Sequence, residues 1–339
     1  MSIIVSILVF GLVIMIHELG HFITAKMSGI KVNEFSIGMG PRLAGKKIGD
    51  TEYSIRCLPI GGYVSMEGED EESDAEGSFS QAPVQNRILV VVAGAIMNLV
   101  LGFAVLCGLT NSQSAITSRT VSSFYPDAMT QKTGLQVNDE IIAINGRKCY
   151  IANDIIYEFA RTQNGTADFT VIRNGEKVEL EGVTFDTYTT EDGLKNLVLD
   201  FTVYPIEKTF KNVLHEAANW TISIARLVFL SLMDLVTGRV AINQMSGPVG
   251  IVSTISEAVS YGLEPVMMIL AMITINLGVF NLIPFPALDG GRLVFLLVEF
   301  FRGKPLNPKY EIYVNSAGML ALLAFMAFVT FSDISKFFI

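Results

Sequence analysis

The sequence predicts an α-helical polytopic membrane protein of four transmembrane helices, with a membrane-associated β-loop and an inserted α+β domain. Three observations carry that expectation. Half of the 339 residues are hydrophobic and only 17% are charged, so mean hydropathy reaches +0.47, too apolar for an ordinary soluble chain. Four runs are long enough to cross a hydrocarbon core, which takes about 20 apolar residues per helix. One stretch between them, residues 115–205, changes to polar, short-period alternation.

The first span runs from about Ile3 to Ala25. No basic residue precedes Lys26 and no small-x-small cleavage site follows, so it reads as a retained segment rather than a cleaved leader. The second, Ile88–Leu109, carries no charge; the third starts near Val266 and continues past Leu288; the fourth covers about Ala317–Phe331. Between the first two, Lys31–Ser65 alternates like strands, with turns at Gly38, Gly40-Pro41, Gly45 and Gly49. The acidic run Glu67–Glu76 reads as a solvated loop. Residues 1–114 thus form the first region and 263–339 the last.

In 115–205 a helix is expected near Ile151–Arg161, and Asn174-Gly175 marks a tight hairpin. Residues 206–262 hold an amphipathic helix and a connector. Over Lys208–Thr237, Asn212, His215, Glu216, Asn219, Ser223, Arg226, Asp234 and Thr237 fall on one stripe, with Leu230 the exception, as suits a helix lying at the membrane surface. The positive-inside rule agrees. Lys26, Lys31, Arg42, Lys46, Lys47, Arg56 and Arg87 place the first connection inside, and four spans also place Arg302, Lys304 and Lys309 inside. The 115–205 domain then lies outside the cell membrane.

A net charge of −9 with no basic patch argues against nucleic acid as a partner. Cys57, Cys107 and Cys149 have no metal-type spacing and read as small apolar fillers. The chemistry sits elsewhere. His17-Glu18-Leu19-Gly20-His21 is HExxH on a helix, so two imidazoles share a face and can reach one Zn²⁺, with Glu18 beside them as a base. Two of the chain's three histidines lie in this motif, at a depth where polar groups are costly and usually functional. Hydrolytic zinc takes a third protein ligand. His215 falls on the polar stripe, on the opposite side. Asp289, in Asn281-Leu-Ile-Pro-Phe-Pro-Ala-Leu-Asp-Gly-Gly291, is the only carboxylate between Glu264 and Glu299, and four spans bring it to the depth of His17. Pro284 and Pro286 cannot continue a regular helix, so the backbone is expected to open there.

HExGH in a first span with N-x-x-P-x-P-x-L-D-G-G in a later one resembles the site-2 protease family of intramembrane zinc metalloproteases, in its bacterial RseP/RasP-like branch. Phe35–Pro41, Leu58–Val64, Ala93–Asn98 and Ser246–Ile251 extend the likeness over nearly the whole chain. The Gly134–Gly146 segment resembles a PDZ domain, with Asn138 where a glycine is usual. Having room for one such domain, the chain is similar to the single-PDZ members. The resemblance implies His17, His21 and Asp289 as zinc ligands and Glu18 as catalytic base. It implies Asn281, Pro284 and Pro286 near the substrate groove. Gly61, Gly62 and Tyr63 then belong to a reentrant β-loop that pairs with an unwound substrate. It further implies single-span membrane proteins as substrates, such as anti-sigma factors or remnant signal peptides, and peptide C-termini or unfolded segments bound by the PDZ domain. The expected site is a multi-pass protein of the bacterial inner membrane, its active centre towards the cytoplasm. Two rivals stand beside this: an idle scaffold that binds tails, and a metal-ion transporter.

Overall fold

The computed structural model describes residues 2–69, 73–162, 165–189, 195–238 and 247–336. Asp70, Glu71 and Glu72 of the acidic run, and Ser246 of the Ser246–Ile251 motif, lie outside the described residues. The chain divides into two compact units, Met1–Val105 with Leu227–Ile339, and Leu106–Arg226.

In chain order, α1 (Ser2–Met27) leads into the long strands β1 (Val32–Ile48) and β2 (Thr51–Met66), then α2 (Val84–Ser112). The inserted unit holds β3 (Ile116–Phe124), α3 (Met129–Lys132), β4 (Glu140–Ile144), β5 (Arg147–Lys148) and α4 (Ala152–Arg161). It continues with β6 (Thr166–Arg173), β7 (Glu176–Thr184), β8 (Thr187–Thr189), β9 (Lys195–Leu197) and β10 (Phe201–Ile206). The rest is helical: α5 (Phe210–Val236), α6 (Pro248–Tyr261), α7 (Leu263–Leu282), α8 (Asp289–Arg302) and α9 (Pro308–Lys336).

Among the described residues five helices are long and apolar enough to cross a membrane: α1, α2, α5, α7 and α9. α5 is the least apolar of them. The third apolar run divides, contrary to a span continuing past Leu288: α7 ends at Leu282, and α8 begins afresh at Asp289. The cause is local. Pro284 and Pro286 lack the N–H a helix needs, and Ala287 adopts φ +72°. The connector before α7 contains a further helix, α6. Gly247 and Pro248 start it, proline being preset for a first helical position. The Gly250 N–H at its N-terminus donates to Asp333 Oδ2 on α9 at 2.9 Å.

β1 and β2 form a curled antiparallel sheet. The first half of β1 is paired on both sides by β2: Phe35 lies opposite Tyr53 on one side and Val64 on the other. Residues 62–66 are therefore an outer edge. Ala25, Ile30, Val32, Met66, Phe79, Val90, Val91 and Leu296 make one buried cluster from α1, this sheet, α2 and α8.

The inserted unit is an antiparallel sheet in the order β10-β3-β4-β6-β7. Its β6–β7 hairpin turns at Asn174 and Gly175, φ 52° and 86°, the two left-handed residues that an Asn-Gly turn supplies. Phe159 of α4 packs edge-on to Phe185 at 4.5 Å over a core that includes Phe169, Ile141 and Leu135. Cys149 is 2% exposed there, and burial pushes its thiol up to about 12, so it is an inert filler. The polar stripe of α5, as far as Arg226, is turned onto this unit. Ser223 Oγ donates to Asp154 at the start of α4. Arg226 donates to the Lys148 carbonyl and lies over the Tyr150 ring at 5.4 Å.

Candidate metal centre

Four-residue spacing on α1 puts His17 and His21 on one face, and their Nε2 atoms lie 3.1 Å apart. The rings stand nearly perpendicular, at 84°. Asp289, the first residue of α8, brings its Oδ2 to 3.1 Å from His17 Nε2 and 3.4 Å from His21 Nε2. The three side chains are 10%, 12% and 26% exposed. They form the one group of three or more His, Cys, Asp and Glu residues able to hold a metal ion among the described residues.

The donor set fits zinc. Bonds of about 2.0–2.1 Å in a tetrahedral site put ligand atoms about 3.3–3.4 Å apart. The edges here are 3.1, 3.1 and 3.4 Å. Asp289 Oδ2 is buried without a hydrogen-bond partner. His21 Nδ1 lies 2.8 Å from the Val90 carbonyl, an acceptor only, so Nδ1 carries the proton and Nε2 offers its lone pair to the centre. Two imidazole nitrogens and a carboxylate oxygen thus converge on one point.

Small residues make the convergence possible. A Cβ at Gly20 would lie 2.5 Å from the Ala93 carbonyl oxygen, so glycine sets how closely α1 meets α2. A Cβ at Gly94 would strike His21 Nε2 and come within 2.7 Å of His17 Cε1. On the other wall, a Cβ at Gly291 would lie 2.5 Å from the Phe285 carbonyl oxygen, and one at Gly290 would strike that of Ile283. The Gly290-Gly291 pair therefore lets α8 fold back against the open segment 283–288, which aims Asp289 at the histidines. Gly318 of α9 packs on Pro286 in the same way, and Asn315 Oδ1 accepts from the Ala287 N–H at 3.3 Å.

Glu18 is held from the sheet: Val64 N–H donates to its Oε2 at 3.1 Å. The strand approaches α1 at successive turns, Pro59 opposite Gly11 and Gly61 opposite Ile14, before reaching Glu18. Gly61 and Gly62 are buried, and a Cβ at Gly62 would lie 2.5 Å from the Ser36 carbonyl oxygen. Tyr63 is engaged within the hairpin, its hydroxyl donating to Glu34 and its ring under Arg56 at 5.0 Å. Asn281 is buried in the last turn of α7, while Pro284 is exposed and Pro286 half-buried in the open segment. His215 lies in the inserted unit, on the wall of a cleft of about 490 Å³ with Glu216, Arg119 and Tyr204. Sequence reasoning missed Val64, Val90 and Gly94 as supports. Two of them act through backbone groups, which leave no trace in residue type.

A family model described as Peptidase family M50 matches residues 5–325. A Clostridium perfringens protein is 36% identical over 98% of this chain and 98% of its own length. Zinc metalloprotease RasP of Shouchella clausii is 29% identical over 98% of each chain. Regulator of sigma-W protease RasP of Bacillus subtilis is 28% identical over 100% of this chain and 99% of its own.

Proposed function

Because the chain belongs to peptidase family M50 and is a zinc metalloprotease, we propose that it hydrolyses peptide bonds within or near the transmembrane segments of single-span membrane proteins. One observation carries the assignment of residues. His17, His21 and Asp289, from helices far apart in sequence, turn three donor atoms onto one point beside Glu18. On this reading the three hold Zn²⁺ and Glu18 is the general base.

Zinc, when bound, supplies Lewis acidity that polarises the scissile carbonyl and makes water a nucleophile near neutral pH. Glu18 takes a proton from the attacking water and returns it to the leaving amine nitrogen. The Val64 N–H holds the Glu18 carboxylate in place while it waits. On this reading Asn281, in the last turn of α7, hydrogen-bonds the substrate carbonyl. A transmembrane helix hides its carbonyls, so the substrate must first unwind. The outer edge at residues 62–66, beside α1, offers an extended chain the pairing it loses. Gly61, Gly62 and Tyr63 belong to that strand, and Pro284 and Pro286 keep the segment before Asp289 open.

The Bacillus subtilis relative is named a regulator of sigma-W protease. By analogy the substrates are anti-sigma factors and remnant signal peptides, cut in regulated intramembrane proteolysis. The inserted unit acts as a PDZ-type binder of peptide C-termini or unfolded segments. Support for this comes from β10, which ends the sheet order among the described residues, and from the helix-and-hairpin pattern of the unit. Four spans place the metal centre towards the cytoplasm and the inserted unit outside. Ser223 and Arg226 favour four over five: these mid-α5 residues bond to a polar domain rather than facing lipid.

The test uses purified full-length wild type and Glu18→Gln with a model single-span substrate. Wild type is expected to cleave and to hold about one zinc per chain. Glu18→Gln keeps the zinc and loses about 10²–10⁴-fold in rate. Equal cleavage by both, or zinc-free wild type, rejects the assignment.

A further inference from the structure

One polar side chain near the centre is left without a role by the proposed chemistry. Asn98, in the middle of α2, is 0% exposed, and neither its Oδ1 nor its Nδ2 has a hydrogen-bond partner. An unpaired amide at membrane depth is costly and asks for an explanation.

Its position follows from the helix contacts. α1 and α2 run antiparallel: His21 meets Val90, Gly20 meets Ala93, and His17 meets Gly94. Asn98 is one turn further along α2 on the face of Gly94, about 6 Å beyond the level at which Gly94 meets His17. On its other flank Thr274 Oγ1 of α7 donates to the Asn98 backbone carbonyl at 3.1 Å. A Cβ at Gly278 would meet the Ala95 carbonyl oxygen at 2.9 Å. Asn98 therefore sits where α1, α2 and α7 join. One turn away, on the neighbouring helix, a second buried atom lacks a partner, His17 Nδ1.

The two orphans are complementary. A metal-binding imidazole ordinarily donates its second N–H to a fixed acceptor. His21 has the Val90 carbonyl for this; His17 has none. We propose that Asn98 is the positioning residue of His17, its side-chain oxygen accepting the Nδ1 proton through one bridging water. A water held between two such groups needs only those partners and a neighbouring backbone carbonyl. The link fixes His17 in the tautomer whose Nε2 lone pair faces Asp289 and His21. A direct substrate contact is excluded by the complete burial of Asn98.

This inference rests on the metal-centre reading of His17, and the experiment separates the two. Zinc affinity of the full-length protein in detergent is measured by competition with a fluorescent chelator. Asn98→Leu is expected to weaken binding by about 10–100-fold, and Asn98→Asp, which keeps an acceptor at the same reach, restores it to within a few-fold. In a His17→Ala background Asn98→Leu makes no further difference. The metal-free melting temperature of Asn98→Leu is expected to equal or exceed that of wild type, since an unpaired amide has been removed; a lower one assigns Asn98 to packing and overturns the proposal. Unchanged zinc affinity in Asn98→Leu, or an equal loss with and without His17, also overturns it. Zinc-free wild type instead rejects the metal centre itself.

Discussion

Replacing Gly94 by alanine adds one methyl group at the most crowded point of the centre. The new carbon would lie 2.7 Å from Cε1 of His17 and 2.7 Å from Cε1 of His21, and closer still to His21 Nε2. Carbon atoms in contact rest about 3.5–4.0 Å apart, so each ring must retreat by about 0.8 Å or more. Metal sites hold their ligand distances to about ±0.2 Å. The displacement is therefore about four times what the site tolerates. α2 cannot yield instead, because Gly20 already lies against the Ala93 carbonyl. Zinc affinity should fall at least as far as when a supporting residue is removed, about 10–100-fold, or about 1.4–2.7 kcal/mol. Gly108→Ala is the control in the same helix. Nothing lies within 4 Å of its added carbon, so zinc binding is kept and helix propensity improves by up to about 1 kcal/mol. The assay is chelator competition on both full-length variants, with cleavage of a single-span substrate alongside. A Gly94→Ala protein that binds zinc like wild type refutes the packing argument and the ligand assignment with it.

Two further outcomes are expected. Gly291→Ala forces α8 away from the Phe285 carbonyl, 2.5 Å from the added carbon, and so withdraws Asp289; zinc content and cleavage should fall together while the inserted unit keeps its fold, as limited proteolysis would report. A reporter fused after Ile339 should lie outside the cell if α5 runs along the membrane surface and inside if α5 crosses it, so an inside reading rejects four spans.

The sequence was most legible where chemistry is encoded by spacing along one element. HExxH is such a case, since a helix converts a four-residue interval into a shared face. Asn174-Gly175 is another, because both residues tolerate positive φ and so specify a hairpin. The polar stripe on α5 was also legible, but its target was not: Ser223 and Arg226 meet Asp154 and Lys148, 69 and 78 positions away. The break in the third apolar run was legible as Pro284 and Pro286. Its extent was not, because hydropathy continues unchanged through α8.

By itself the sequence determined the class of protein, and it offered the five-residue HExxH motif and Asp289 as candidate metal ligands. The class and the motif follow from hydrophobic run length and helical periodicity, which are local properties. Only the tertiary structure decided that Asp289 comes within 3.1 Å of His17, that Val64 holds Glu18, and that Gly94 leaves room for both rings. These depend on how closely helices approach and on which backbone groups face inward. Such relations join residues far apart in the chain and leave little mark on residue type.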